Sequence, residues 1–208
     1  MQIFLAKILS QQTAALFEDE ARHCIKVLRH RAGDKIQCID GQGTYYQAQI
    51  TSASPKRVDL ALLSALKGWG EPPGQLTLAV SPLRLKDRFE WLVEKAVELG
   101  IHRIQPLRCA RTEKYKAKVN PSRLETLILT ATKQCLRARL PELLPEQDFE
   151  AWIRSSGGGF DAAFIARGDA PEPMEAHRSL IKSADRLCLL IGPEGDFTGE
   201  EYAAAQTA

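Results

Sequence analysis

Over the first third of the chain the hydrophobic positions recur at every second residue. Ile36 with Cys38, Ala48 with Ile50, and Val58 with Leu60 and Leu62 each put alternate side chains on one face, the pattern of half-buried strands. Gly41-Gln42-Gly43 joins the first two runs as a hairpin, and Ser54-Pro55 turns the second into the third. A helix over residues 19–28 interrupts the strands and stops at Gly33-Asp34. Residues 1–70 therefore predict a small β-rich module, a compact barrel. Residues 67–74 then place Gly68, Gly70, Pro72, Pro73 and Gly74 close together, which excludes a helix or a central strand and marks a domain boundary.

Beyond the boundary the period changes. Residues 76–80 form a short apolar run of buried-strand type, and residues 87–99 carry Phe89, Leu92, Val93, Ala96 and Val97 at helical spacing. Asp87 with Glu90 reads as a capping box for that helix, and Gly100 stands where a C-terminal glycine cap belongs. Residues 101–107 read as the next strand. A second helix has Asn120 as cap and Pro121 in its first turn, buries Leu124, Leu127, Ile128, Ala131 and Cys135, and stops before Pro141. Residues 160–166 and 186–191 are two more buried strands. Strands alternating with helices predict an α/β domain, a parallel sheet covered by helices. Gly157-Gly158-Gly159 reads as a loop.

The 208 residues, 44% apolar and 26% charged, have the composition of a folded soluble chain. No stretch approaches the roughly 18 apolar residues of a membrane helix. The N-terminal apolar run contains Lys7 and lacks a cleavage site, so the expected location is the cytoplasm. The cysteines at 24, 38, 109, 135 and 188 form no C-x-x-C pair, and the histidines at 23, 30, 102 and 177 form no metal-binding motif. Neither a disulfide framework nor a metal site is expected.

The formal net charge of +2 conceals an uneven distribution. Residues 84–140 hold 14 basic and 6 acidic side chains, whereas residues 141–208 hold 5 and 13. A basic middle beside an acidic end suggests a positive face for a polyanion such as RNA, although solvated helix faces have the same composition.

Candidate chemistry gathers in three places. The strand ending at Ile191 runs into Gly192-Pro193-Glu194-Gly195-Asp196-Phe197-Thr198, at the carboxyl end of a parallel sheet where ligands bind. The turn matches neither phosphate-binding glycine motif, and Thr198 with Glu201 is a capping box, so a plain strand-turn-helix junction and a ligand loop both remain open. Gln134 and Arg137, three positions apart, would project from one side of a helix and could grip a base or phosphate. Arg22, Lys26 and Arg29 at i, i+4 and i+7, with His23, His30 and Arg31 nearby, make a stripe for a nucleic-acid backbone, or an ordinary solvated helix surface.

Four segments in order carry a resemblance: His23-Cys24-Ile25-Lys26-Val27-Leu28-Arg29 with Gly33-Asp34; Lys86-Asp87-Arg88 with Glu94-Lys95-Ala96-Val97-Glu98-Leu99-Gly100; Lys133-Gln134-Cys135-Leu136-Arg137 with Leu140-Pro141-Glu142; and Ile191-Gly192-Pro193-Glu194-Gly195. Together the chain resembles the RsmE-type ribosomal RNA uridine-N3 methyltransferases of the SPOUT superfamily. The resemblance implies a PUA-like β-barrel over residues 1–70 for RNA docking. It implies a SPOUT α/β methyltransferase domain over residues 75–208 with a C-terminal trefoil knot, and a homodimer. The implied cofactor is S-adenosyl-L-methionine, and the implied substrate a uridine of small-subunit (16S) ribosomal RNA, free or in the assembled subunit.

Carried over by position, Leu190, Ile191, Gly192, Pro193, Glu194 and Gly195 form one cofactor loop, and Ala166 and Arg167 another. Gln134 and Arg137 face the reaction centre or the dimer interface, with Arg137 the candidate to stabilise a uridine anion and no general base assigned. Arg22, His23, Lys26, Arg29 and Arg31 are the expected RNA contacts. Two departures stand out: Asp196 replaces a second glycine, and the family's last arginine-containing motif has no counterpart, so the knot and cofactor pocket are expected to be incomplete and the domain truncated. The competing readings are a non-catalytic RNA-binding module and a SPOUT methylase acting on transfer RNA.

Overall fold

The computed structural model describes residues 2–112, 119–156, 159–170 and 172–207; Gly157 and Gly158 of the glycine loop lie outside the described residues. The chain divides into two compact units, one of Met1–Glu71 with Leu129–Leu140 and one of Pro72–Ile128 with Pro141–Ala208.

In the first unit, Ile3–Leu5 (β1), Lys7–Ile8 (β2), Thr13–Phe17 (β3), Lys35–Ile39 (β4), Thr44–Ala53 (β5) and Arg57–Lys67 (β6) form one sheet in the order β1-β4-β5-β6-β3-β2. β1 and β2 occupy opposite edges although Ala6 alone separates them, so the sheet has to curl until its edges approach. Register slips at Gln47/Ala48 and Ile50/Ser52 add the local twist that such a curl needs. The alternating positions point inward as expected: Ile36, Cys38, Ala48, Ile50, Val58 and Leu60 are buried with Phe4 and Leu16 in one core.

The helix expected over residues 19–28 is in two pieces. Glu18–Arg22 (α1) is α-helical, and His23–Val27 is a π-helical turn closed by the Leu28 N–H donating to the His23 carbonyl at 3.0 Å. One extra residue per turn is invisible to a pattern search at period 3.6.

In the second unit the expected strands appear as Gln75–Val80 (β7), Arg103–Arg108 (β8), Ala162–Ile165 (β11) and Arg186–Ile191 (β12). Glu142–Leu143 (β9) and Gln147–Asp148 (β10), two residues each, are too short to show a period. The sheet order is β10-β8-β7-β12-β11, with β9 beside β8, and every pairing is parallel. Lys86–Glu98 (α2), Pro121–Gln134 (α3), Phe149–Ser156 (α4), Arg178–Ser183 (α5) and Gly199–Gln206 (α6) complete the chain. α3 begins as its sequence suggests, Asn120 Oδ1 accepting the Arg123 N–H at 3.2 Å.

The Asp87 capping box is not formed. Leu85 is the N-cap of α2 and no side chain caps it, which leaves Asp87 inside the first turn, where its charge favours the helix dipole. The C-terminal end is as expected. The Ile101 N–H reaches the Ala96 carbonyl at 3.0 Å and the Gly100 N–H the Val97 carbonyl at 3.1 Å, the paired bonds of a left-handed glycine cap. Gly100 has φ +98°, and a Cβ there would stand 2.7 Å from Pro72 Cγ. Gly100→Ala should therefore destabilise the protein by more than about 1 kcal/mol in urea unfolding.

Candidate functional site

β12 lies between β7 and β11, and its carboxyl end opens into the glycine-rich loop. Ile191 pairs with Val80, and Leu190 with Ile165 and Ala79, so three strand ends reach one edge together. The Ser81 N–H donates to the Ile191 carbonyl at 2.9 Å, and the buried Ser81 and Thr112 hydroxyls meet at 2.8 Å. The loop is tethered on several sides. Glu194 Oε1 accepts the Arg84 N–H at 2.9 Å, and Arg111 Nη1 donates to the Gly195 carbonyl at 2.6 Å. Phe197 is buried against Phe149 and Tyr202, with ring centroids 5.3 and 5.6 Å away.

Thr198 and Glu201 form the expected capping box on α6. Glu201, itself buried, also accepts the Ala110 N–H through its other oxygen at 2.7 Å. The junction reading is thus correct as local structure, and it leaves Glu194 and Gly195 exposed at the surface of the loop. On the neighbouring strand end, the Ala166 N–H donates to the Leu190 carbonyl at 2.9 Å, and Arg167 stacks over the Tyr202 ring at 4.8 Å. The expected residues 166, 167 and 190–195 are therefore gathered at the carboxyl ends of β11 and β12. Asp196, singled out in the sequence as a departure, lies with them, and Tyr202, Arg84 and Arg111 join them without any sequence signal; the Thr198–Glu201 capping box was the one local pattern that placed the start of α6. Burial, and then a hydrogen bond to Asp196, push the Tyr202 phenol up to about 12.

An open cleft of about 900 Å³ lies nearby, lined by residues including Arg108, Cys109, Phe149, Arg154 and Thr198, but by none of residues 190–195. Burial raises the thiols of Cys38, Cys109 and Cys188 to about 12 and that of Cys24 to about 11, which keeps these four protonated at neutral pH.

In the first unit, Gln134 and Arg137 do not share a helix face. α3 ends at Gln134, and Leu136, at φ +62°, turns the chain before Arg137. Gln134 is exposed, whereas Arg137 is 2% exposed and donates from Nη2 to Glu71 Oε2 at 2.6 Å. The other Glu71 oxygen accepts the Arg139 N–H at 2.9 Å. Gly70 makes this approach feasible, since a Cβ on it would stand 2.9 Å from the Leu136 carbonyl oxygen.

The basic stripe also departs from its expected geometry. Arg22 ends the α-helical part while Lys26 lies within the wider π-helical turn, and Arg29, at φ +61°, lies past the end of the helix, so the i, i+4, i+7 row is broken. Arg22, Lys26, Arg29 and Arg31 are nevertheless exposed, and His23 is half-buried. Arg22 pairs with Asp19 at 3.0 Å, and Val27 and Leu28 are exposed among the cations. The Arg31 N–H and the His30 side chain hold the Asp34 carboxyl below its usual range.

Comparison with known proteins adds the following. Residues 70–208 match the family described as RNA methyltransferase domain, and residues 18–63 the RNA methyltransferase PUA domain. The chain is 26% identical over 215 residues to Ribosomal RNA small subunit methyltransferase E of Bacillus subtilis, covering 97% of this chain and 83% of the relative. A probable rRNA-methyltransferase from Porphyromonas gingivalis superposes with a TM-score of 0.81 at 26% identity, covering 100% of this chain and 86% of that one. Ribosomal RNA small subunit methyltransferase E from Neisseria gonorrhoeae, solved bound to S-adenosyl methionine, gives 0.77 at 25% identity, covering 100% and 85%.

The Glu71–Arg137 pair gives a clear expectation. Arg137→Ala removes the charge partner of a largely buried carboxylate and should cost about 3–5 kcal/mol in denaturant unfolding, whereas the same change at exposed Gln134 should cost less than about 0.5 kcal/mol.

Proposed function

This chain belongs to the RNA methyltransferase family, and from that premise we propose that it transfers a methyl group to the N3 of a uridine in small-subunit ribosomal RNA, free or in the assembled subunit. It is an S-adenosylmethionine-dependent enzyme of the ribosomal RNA methyltransferase class. The observation that carries the reading is the tethered loop of residues 192–198 at the carboxyl end of β12, next to the end of β11.

The donor set there suits S-adenosylmethionine. Ile191 and Ala166 offer aliphatic surface for a purine, and Leu190, its side chain buried, offers a backbone position beside them; residues 192–195 offer peptide groups at an exposed turn, and the Glu194 carboxylate suits a cationic ligand. We assign these residues, with Pro193 and Arg167, to the cofactor. When bound, the cofactor supplies a methyl carbon activated by its sulfonium.

The chain's own residues then have three tasks. The uridine nitrogen attacks only after losing its proton, so positive potential at the base favours the reactive anion. Arg137 is the proposed source of that potential, in a form tempered by Glu71, and exposed Gln134 the proposed hydrogen-bonding contact. Arg22, His23, Lys26, Arg29 and Arg31 are the proposed contacts to the RNA backbone. The proposal includes a homodimer, a C-terminal trefoil knot and a cytoplasmic location. All five cysteines are free thiols, and among the described residues no helix is long and apolar enough to cross a membrane.

Calorimetric titration of the chain with S-adenosylmethionine should give saturable heat; its absence would leave an RNA-binding module without catalysis. Mapping methylated uridines in a deletion strain should show the loss in 16S ribosomal RNA; a loss confined to transfer RNA would overturn the substrate. Gln134→Ala should lower kcat while leaving stability intact. RNA affinity should fall with salt at a slope of about −0.7 to −0.9 per phosphate contacted, and Lys26→Glu should flatten that slope.

A further inference from the structure

Asp196 has φ +60°, a left-handed conformation that suits glycine, yet one oxygen of its carboxylate takes two donors. Its N–H closes the loop by donating to the Pro193 carbonyl at 2.9 Å. Its Oδ1 accepts the Phe197 N–H at 2.8 Å and the Tyr202 hydroxyl at 2.7 Å. The same hydroxyl lies 3.2 Å from the Ala166 carbonyl oxygen, on the other strand end. Tyr202 is 8% exposed, packed edge-on against Phe197 and capped by the Arg167 guanidinium, which in turn is forked to Asp169. The ladder between β11 and β12 ends at the Ala166 N–H bond to the Leu190 carbonyl. Beyond that bond, the Tyr202 hydroxyl reaches both loops at once.

We propose that the Asp196–Tyr202 hydrogen bond is a clasp that sets the spacing of the two loops, making Asp196 and Tyr202 positioning residues for the methyl donor. The inference rests on the assignment of these loops to S-adenosylmethionine. The carboxylate of this left-handed aspartate takes two donors that glycine could not engage. The clasp preorganises the cofactor site, so its loss should weaken donor binding and leave the chemical step and RNA docking as they were.

The test compares the full chain with Tyr202→Phe, Asp196→Gly and Asp196→Asn by calorimetric titration with S-adenosylmethionine and by steady-state methylation. Tyr202→Phe should raise Kd and KM for the donor about tenfold, the size expected for a lost hydrogen bond to a charged group, with kcat within about twofold. Asp196→Gly meets φ +60° without strain and removes the acceptor, so it should reproduce the effect even if the tyrosine variant fails to fold. Asp196→Asn keeps an acceptor at Oδ1 and should restore most of the affinity. Donor affinities in the phenylalanine or glycine variant equal to wild type, or a fall in kcat at unchanged KM, would overturn the clasp. An unmodified chain that binds no donor would overturn the functional reading on which the clasp depends.

Discussion

The second unit depends on the insertion of its last strand into the middle of the sheet. β12 pairs along its whole length with β7 and over four residues with β11, so its backbone is satisfied on both sides and Cys188 and Leu190 are buried. A strand with two parallel neighbours has no free edge, and its carboxyl end is carried to the same rim as theirs. Everything at the site follows from that rim. Residues separated by about a hundred positions in the chain, such as Arg84 and Glu194 or Ala110 and Glu201, become hydrogen-bond partners there.

The rim is built from backbone groups, hydroxyls, a few carboxylates and the guanidiniums of Arg111 and Arg167, most of them already engaged with one another. The buried Ser81 and Thr112 hydroxyls satisfy each other, and Glu201 satisfies the Ala110 and Thr198 N–H groups at once. Such a surface holds a ligand by shape and position. That suits a reaction whose driving force resides in an already activated methyl group, where the protein's contribution is to hold the reactants in contact.

The charge distribution means something different once the side chains are paired. Much of the basic surplus of residues 84–140 is spent internally: Arg137 faces Glu71, Lys133 faces Glu20 at 2.6 Å, Arg123 faces Glu90 at 3.0 Å and Arg108 faces Asp148 at 2.9 Å. The first of these is nearly inaccessible to water, which makes it an organiser of residues 136–140. The exposed cations of residues 22–31, by contrast, lie on a short segment whose helix changes pitch midway.

Read alone, the amino-acid order determined the elements whose cause is local. Alternation gave β4, β5 and β6, period 3.6 gave α2 and α3, and Asn120, Thr198 with Glu201, and Gly100 placed caps that form as their chemistry requires. Glycines at a strand's carboxyl end picked out the loop after Ile191 with its role left open, and resemblance assigned residues 190–195 to the cofactor. Only the tertiary structure decided that α3 stops at Gln134, so that Arg137 turns inward to Glu71, that the first helix widens at His23, and that Asp196 meets Tyr202. Each of those outcomes is set by a partner distant in sequence or by a backbone twist with no periodic signature. The energy that selects them comes from burial and pairing that exist only after the chain has folded.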